Sequence, residues 1–124
     1  MGTLIIGTPE LNVDQRLLVS AHRMLADLVA GGAALGWVDP PSPPDVATLI
    51  SGVASAARNG DAALYAAYLD DGLAGLGYWR RRARPAHWPH ADLEKLAVAA
   101  GAQGQGIGRA LTSALVQDAR KAGI

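Results

Sequence analysis

The chain has 124 residues, half of them hydrophobic, enough for one compact domain with a buried core and too few for two. Eleven basic and eleven acidic residues cancel, which excludes a global electrostatic pull toward nucleic acid or an anionic membrane. There is no cysteine, which excludes a disulfide framework, thiolate catalysis and cysteine-ligated zinc.

Leu4-Ile5-Ile6 is a short strand candidate ended by Pro9. The N-terminal stretch lacks a basic run, so no secretory signal is expected. No apolar run approaches the roughly 20 residues of a membrane span, and a soluble, cytoplasmic protein is expected. Leu17, Leu18, Ala21, Met24, Leu25, Leu28 and Val29 recur at helical spacing, which predicts a helix from about Asn12 to Ala30, stopped by Gly31-Gly32. Ala33 to Val38 is a short stretch expected to be extended. A second helix starts at Ser42-Pro43-Pro44-Asp45: Ser42 caps, Pro43 sits where a missing N–H is harmless, and Asp45 stands at the capping-box position. Asn59-Gly60 closes it.

Three strands follow at Ala62–Leu69, Leu73–Arg82 and Ala91–Ala99, the first two joined by the turn Asp70-Asp71-Gly72. A glycine-rich loop, Gly101 to Gly108, leads into a helix from Ile107 to Ala122 with Leu111, Leu115, Val116 and Ala119 on one face. The expected order is β-α-α-β-β-β-loop-α, a mixed α/β (α+β) fold with a largely antiparallel sheet in one domain spanning 1–124.

The loop Gln103-Gly104-Gln105-Gly106-Ile107-Gly108-Arg109 carries the chemistry. Glycines there let a backbone approach a ligand and aim several N–H groups at one point. The helix N-terminus behind them adds partial positive charge, so the segment reads as a phosphate or pyrophosphate site. A P-loop is excluded because no Lys follows these glycines. A Rossmann fingerprint fails because Arg109 stands where its third glycine would be. A plain glycine-rich turn before a helix remains open.

The pattern Gln103-x-x-Gly106-x-Gly108, preceded by Leu93-x-Lys95-Leu96-x-Val98, resembles the signature of the GNAT family of N-acetyltransferases. The order of elements resembles that family as well. Gly31-Gly32-Ala33-x-x-Gly36 followed by Trp37, with Asp92-x-x-Lys95-Leu96-x-Val98, is similar to small-molecule acetyltransferases of the tabtoxin-resistance type. The resemblance implies acetyl-CoA as acetyl donor and a primary amine, of a small molecule, as acceptor. It implies that the backbone of Leu96, Ala97 and Val98 pairs with the pantetheine arm. It implies that N–H groups from Gln103, Gly104, Gln105, Gly106, Ile107, Gly108 and Arg109 hold the pyrophosphate. The glycine-rich link between the first two helices would lie near the acceptor.

Acetyl transfer needs a neutral amine, and a carboxylate can take its proton directly or through water. Asp92 and Glu94, two apart on a strand, share a face, and strict alternation would carry that face on through Leu96 and Val98. A β-bulge near this point would instead put the two acids on different faces. By resemblance Asp92 holds the place of the family's strand acid, usually Glu, and its shorter side chain favours a water relay. Glu94 is the reserve, and solvated acids at a strand start are the alternative. Tyr65, Tyr68 and Tyr78 do not match the family's general acid, so none is assigned. No acyl-enzyme is expected without cysteine.

The resemblance also implies that the family fold continues beyond the last helix with further strands. The chain is therefore expected to represent the N-terminal part and donor-binding core of the fold. Its open sheet would be completed by unrecorded sequence or by a second chain in a homodimer. The rival functions are a non-catalytic acyl-CoA-binding module and an incomplete structural domain that completes its sheet by dimerisation. Arg80-Arg81-Arg82-Ala83-Arg84 is expected to be a solvated strand end, since no aromatic ladder accompanies it as in nucleic-acid binders. His87-Trp88-Pro89-His90 lacks the further ligands a metal needs, and no metal is expected. His22, Trp37, Trp79 and Trp88 read chiefly as structural, with Trp37 and Trp88 as possible acceptor-site walls.

Overall fold

The computed structural model describes residues 4–8, 15–70, 72–81 and 91–124. Its elements are β1 (Leu4–Gly7), α1 (Gln15–Ala30), α2 (Pro43–Arg58), β2 (Ala62–Leu69), β3 (Gly72–Arg81), β4 (Ala91–Val98) and α3 (Ile107–Lys121), with one 3-10 turn at Ala100–Ala102. Type and order follow the hydrophobic periodicity. The expected first turn of α1 at 12–14, Asp71, Arg82 to Arg84 and the His87–His90 loop lie outside the described residues. Residues 33–38, expected to be extended, form a connection with neither helix nor strand.

Helix boundaries are set by local chemistry. Ser42 Oγ accepts from the Asp45 N–H and Asp45 Oδ2 accepts from the Ser42 N–H, both at 3.2 Å, closing the capping box that starts α2. All three helices end alike. Gly32, Gly60 and Gly123 take left-handed φ values of 98°, 78° and 87°. The next N–H then turns back to a carbonyl of the last turn, as Ala33 does to Leu28 at 2.9 Å and Ile124 to Ala119 at 3.0 Å.

The four strands pair antiparallel in the order β1-β2-β3-β4. Helices α1 and α2 cover one face, where Ala21, Leu25, Val46, Ile50 and Val53 pack on Leu64, Leu76, Tyr78 and Ala97. Helix α3 covers the other: Ile107 and Leu111 pack on Ala67 and Ala74, and Leu115 packs on Ala63 and Trp79. Fully burying each of these leucine, isoleucine and valine side chains contributes about 1.5–3 kcal/mol. Gly75 and Gly77 let α3 approach closely. A Cβ at Gly75 would stand 2.9 Å from the Ala97 carbonyl oxygen, and one at Gly77 would stand 3.0 Å from Leu96 and 3.2 Å from Leu115.

Strand β4 is irregular. Leu76 faces Ala97 while Tyr78 faces Glu94, so two steps along β3 match three along β4. The extra residue is a β-bulge, and Lys95 takes a φ of 52° within it.

Candidate functional site

The 3-10 turn carries the chain from the end of β4 to the N-terminus of α3. Gly104 and Gly106 take φ values of 83° and 77°, and Gly106 is the N-cap of α3 with no side-chain cap. A Cβ on either would meet nothing within 4 Å. The requirement for glycine here is therefore conformational, and the space beside the loop is open. The first N–H groups of a helix have no partner within it, so those after Gly106 are left to bond outside α3.

The seven loop residues divide by role. Gln103, Gly104, Gln105, Gly106 and Arg109 are exposed, whereas Ile107 is 1% exposed and anchors the loop in the core beneath α3. Gly108 lies against Val98. Gln103 Nε2 donates to the Val98 carbonyl at 3.2 Å, tying the loop to the end of β4. A groove of about 560 Å³ runs from Gly108 and Arg109 past Thr112 and Val116 of α3 to Leu96 of β4. It joins the loop to the outer side of β4.

The bulge decides which β4 residues face which way. Asp92 faces Arg80 and Glu94 faces Tyr78 across the ladder, so the two acids share the α1–α2 face as alternation predicts. Leu96 and Val98 do not continue that face, contrary to the strict two-residue period. The extra residue moves them to the α3 side, where Leu96 meets the position of Gly77 and Val98 packs on the Ile107–Leu111 cluster. Ala97, 4% exposed, takes the acid face instead.

Other side chains fix the surroundings. Tyr78, 2% exposed, donates its hydroxyl to Glu94 Oε2 at 2.7 Å and so orients that carboxylate. Lys95 Nζ donates to the Leu35 carbonyl and lies 4.4 Å from the centre of the Trp37 ring. Trp37 and Leu35 also pack on the α1–α2 core cluster, which places the 31–42 connection beside the acids' face. His22 Nε2 lies 3.0 Å from the Pro41 carbonyl oxygen, and Trp79 is buried, as their structural readings expect. Arg81 pairs with Asp61 at 3.4 Å and donates to the Ala122 carbonyl at 3.2 Å, so the described end of the basic run ties β3 to its surroundings.

The sequence reading missed Lys95 and Tyr78 as site-shaping residues. Tyr78 is legible only once the β3–β4 register is known, and Lys95 only once the bulge is. Among the described residues no group of three His, Asp or Glu is placed to hold a metal ion. No helix of the described residues is long and apolar enough to cross a membrane.

The sequence profile of the acetyltransferase (GNAT) family matches residues 28–124, from the end of α1 through the loop and α3. The chain belongs to the GNAT family. A search of curated protein sequences finds no match. Among solved structures, the GNAT chain is similar to the PaiA N-acetyltransferase of Thermoplasma acidophilum in complex with coenzyme A. That match has a TM-score of 0.73 at 15% identity and covers 98% of this chain and 75% of that one. It is also similar to ribosomal-protein-alanine N-acetyltransferase from Brucella melitensis (TM-score 0.70, 19% identity, 94% and 67% covered). A third similar structure is glucosamine-6-phosphate N-acetyltransferase from Arabidopsis thaliana (TM-score 0.65, 12% identity, 96% and 76% covered). At these identities the likeness is one of fold.

Proposed function

We propose that this GNAT chain binds acetyl-CoA and transfers its acetyl group to the primary amine of a small molecule. The observation that carries the reading is the uncapped N-terminus of α3, entered through two left-handed glycines and opening beside the exposed edge of β4. Backbone N–H groups from Gln103 to Arg109 would hold the pyrophosphate. The pantetheine arm would lie along Leu96, Ala97 and Val98 as an added strand. The Val98 carbonyl already accepts from Gln103, and a carbonyl oxygen accommodates a second donor.

Acetyl-CoA supplies an activated thioester. The amine nitrogen attacks its carbonyl carbon, the new N–C bond forms, the C–S bond breaks, and the thiolate leaves to be protonated by solvent. The amine proton passes to a carboxylate on the acids' face, Asp92 through water or Glu94 held by Tyr78. A pattern similar to the tabtoxin-resistance type supports a small-molecule acceptor.

Calorimetric titration of acetyl-CoA into the full chain tests the donor site. Saturable binding is expected, and Gly106→Leu should abolish or strongly weaken it, because a side chain at that φ is strained. A folded protein that does not bind acetyl-CoA would overturn the reading. With a panel of amines, Asp92→Asn or Glu94→Gln should lower kcat by about 10²-fold or more, whichever residue is the base. Unchanged turnover in both would sink the base assignment and favour a non-catalytic acyl-CoA module.

A second reading rests on β4 itself. Leu93 and Leu96 are 45% and 40% exposed on this edge strand, an apolar surface suited to edge pairing with a second copy.

A further inference from the structure

We propose that Lys95 is a positioning residue: its ammonium clamps the connection between α1 and α2 to the β4 bulge and fixes Trp37 as a wall beside the acids. The inference rests on the acetyltransferase reading for what the wall does, and on geometry alone for the clamp.

A residue with φ of 52° occupies a region that side chains other than those of Asn, Asp and His seldom take. At Lys95 that backbone brings the side chain to the acids' face, out of step with the alternation that would send Leu96 there. The ammonium then reaches across to residues 58 to 60 positions earlier in the chain. It donates to the Leu35 carbonyl and stands 4.4 Å from the Trp37 ring centre, a hydrogen bond and a cation–π contact from one group.

The connection is shaped to receive it. Gly36, between the two contacted residues, has φ of 87°, and a Cβ there would stand 2.6 Å from Lys95 Nζ. A side chain at 36 would force the ammonium to shift from this position. The connection has no strand or helix of its own. His22 holds its far end at Pro41, the glycine pair holds its start, and Lys95 holds its middle.

Asp92, Glu94 and Lys95 therefore lie on one face, with Trp37 held against the last of them. An amine approaching either acid meets this wall. With the clamp intact the wall is ordered before the acceptor arrives. Without it, part of the acceptor's binding energy goes to ordering the connection. The donor loop lies beyond the bulge at the end of β4 and does not depend on the clamp.

The test compares Lys95→Met, which keeps an apolar stem and removes the charge, with Lys95→Arg, which keeps a cation and donors. Amide hydrogen exchange reads the clamp without activity. Lys95→Met should raise exchange across 33–38 by about fivefold, the effect of one such contact, and leave the middles of α1 and α2 unchanged. Lys95→Arg should recover most of the protection. Acetyl-CoA affinity, titrated by calorimetry, should stay within about twofold in both variants. For any amine that turns over, Lys95→Met should raise the acceptor KM about fivefold with kcat near wild type, and Lys95→Arg should bring it back. Unchanged exchange across 33–38 overturns the clamp. Raised exchange with unchanged acceptor KM overturns the wall. Loss of acetyl-CoA binding in Lys95→Met alone would make Lys95 part of the donor site instead. If the wild-type chain acetylates no amine, the acetyltransferase reading fails while the exchange result still decides the clamp.

Discussion

At the scale of single residues, Asp118 fastens α3 to the sheet. It accepts from the Tyr65 hydroxyl at 2.7 Å through Oδ2 and from Trp79 Nε1 at 2.9 Å through Oδ1. Asp118→Ala would leave two donors beneath α3 without an acceptor and should destabilise by about 3 kcal/mol, measured by urea unfolding. Asp118→Asn keeps one acceptor and should lose about 1 kcal/mol. Burial, then the bond to Asp118 and its charge, push the Tyr65 phenol from 10.0 up to about 12. The neutral phenol is thus favoured in the folded state. Its stabilisation is present in full below pH 10.0 and is lost as pH rises through 10 toward 12. Tyr65→Phe should accordingly show a shallower alkaline loss of stability than wild type, in urea melts compared across that window. An equal slope would show that this hydroxyl does not contribute. None of the trio was legible beforehand. Trp79 reads as a packing residue and Tyr65 as a strand residue, but nothing in the sequence joins either to Asp118, which lies 39 residues from Trp79 and 53 from Tyr65.

At the scale of elements, close approach of α3 to β3 depends on what β3 lacks. Gly77→Ala would place a methyl 3.0 Å from Leu96 and 3.2 Å from Leu115. Overpacking of that degree should cost about 1–3 kcal/mol in unfolding free energy. Gly75→Ala should cost more, because its 2.9 Å neighbour is the Ala97 carbonyl and backbone moves less readily than a leucine tip. Equal melting of the two variants would contradict this ranking. Helix signals were legible because they are local: the Ser42–Asp45 box, Pro43, and the glycines after each helix act through neighbours a few residues apart. The bulge was not. A two-residue period can be read from any strand, but the place where it slips depends on the partner strand. For that reason Leu96 and Val98 were expected on the acids' face and lie on the other.

At the scale of the whole molecule, the sheet has one strand edge beside the donor loop, and that edge carries exposed Leu93 and Leu96. If a second copy covers it, sedimentation should show a concentration-dependent dimer, and Leu96→Lys should shift it to monomer with little change in folding. A monomer at all concentrations, in wild type as in variant, would remove the edge-pairing reading. Binding of acetyl-CoA to that monomer would leave the donor-site proposal intact, since the loop and α3 are complete within one chain.

Legible in the sequence alone were features that act over a short span: the type and order of the helices and strands, the capping box of α2, the glycines that end the helices, and the loop at Gln103–Arg109 with its family signature. These rest on backbone conformation and hydrophobic period, which neighbouring residues dictate. The tertiary structure decided which groups converge. It put Tyr78 on Glu94, Asp118 under Tyr65 and Trp79, and Lys95 across the α1–α2 connection. Between them these contacts depend on strand register, one bulge and the seating of α3 on two glycines. Those are set by packing between segments far apart in the chain, so no local pattern encodes them.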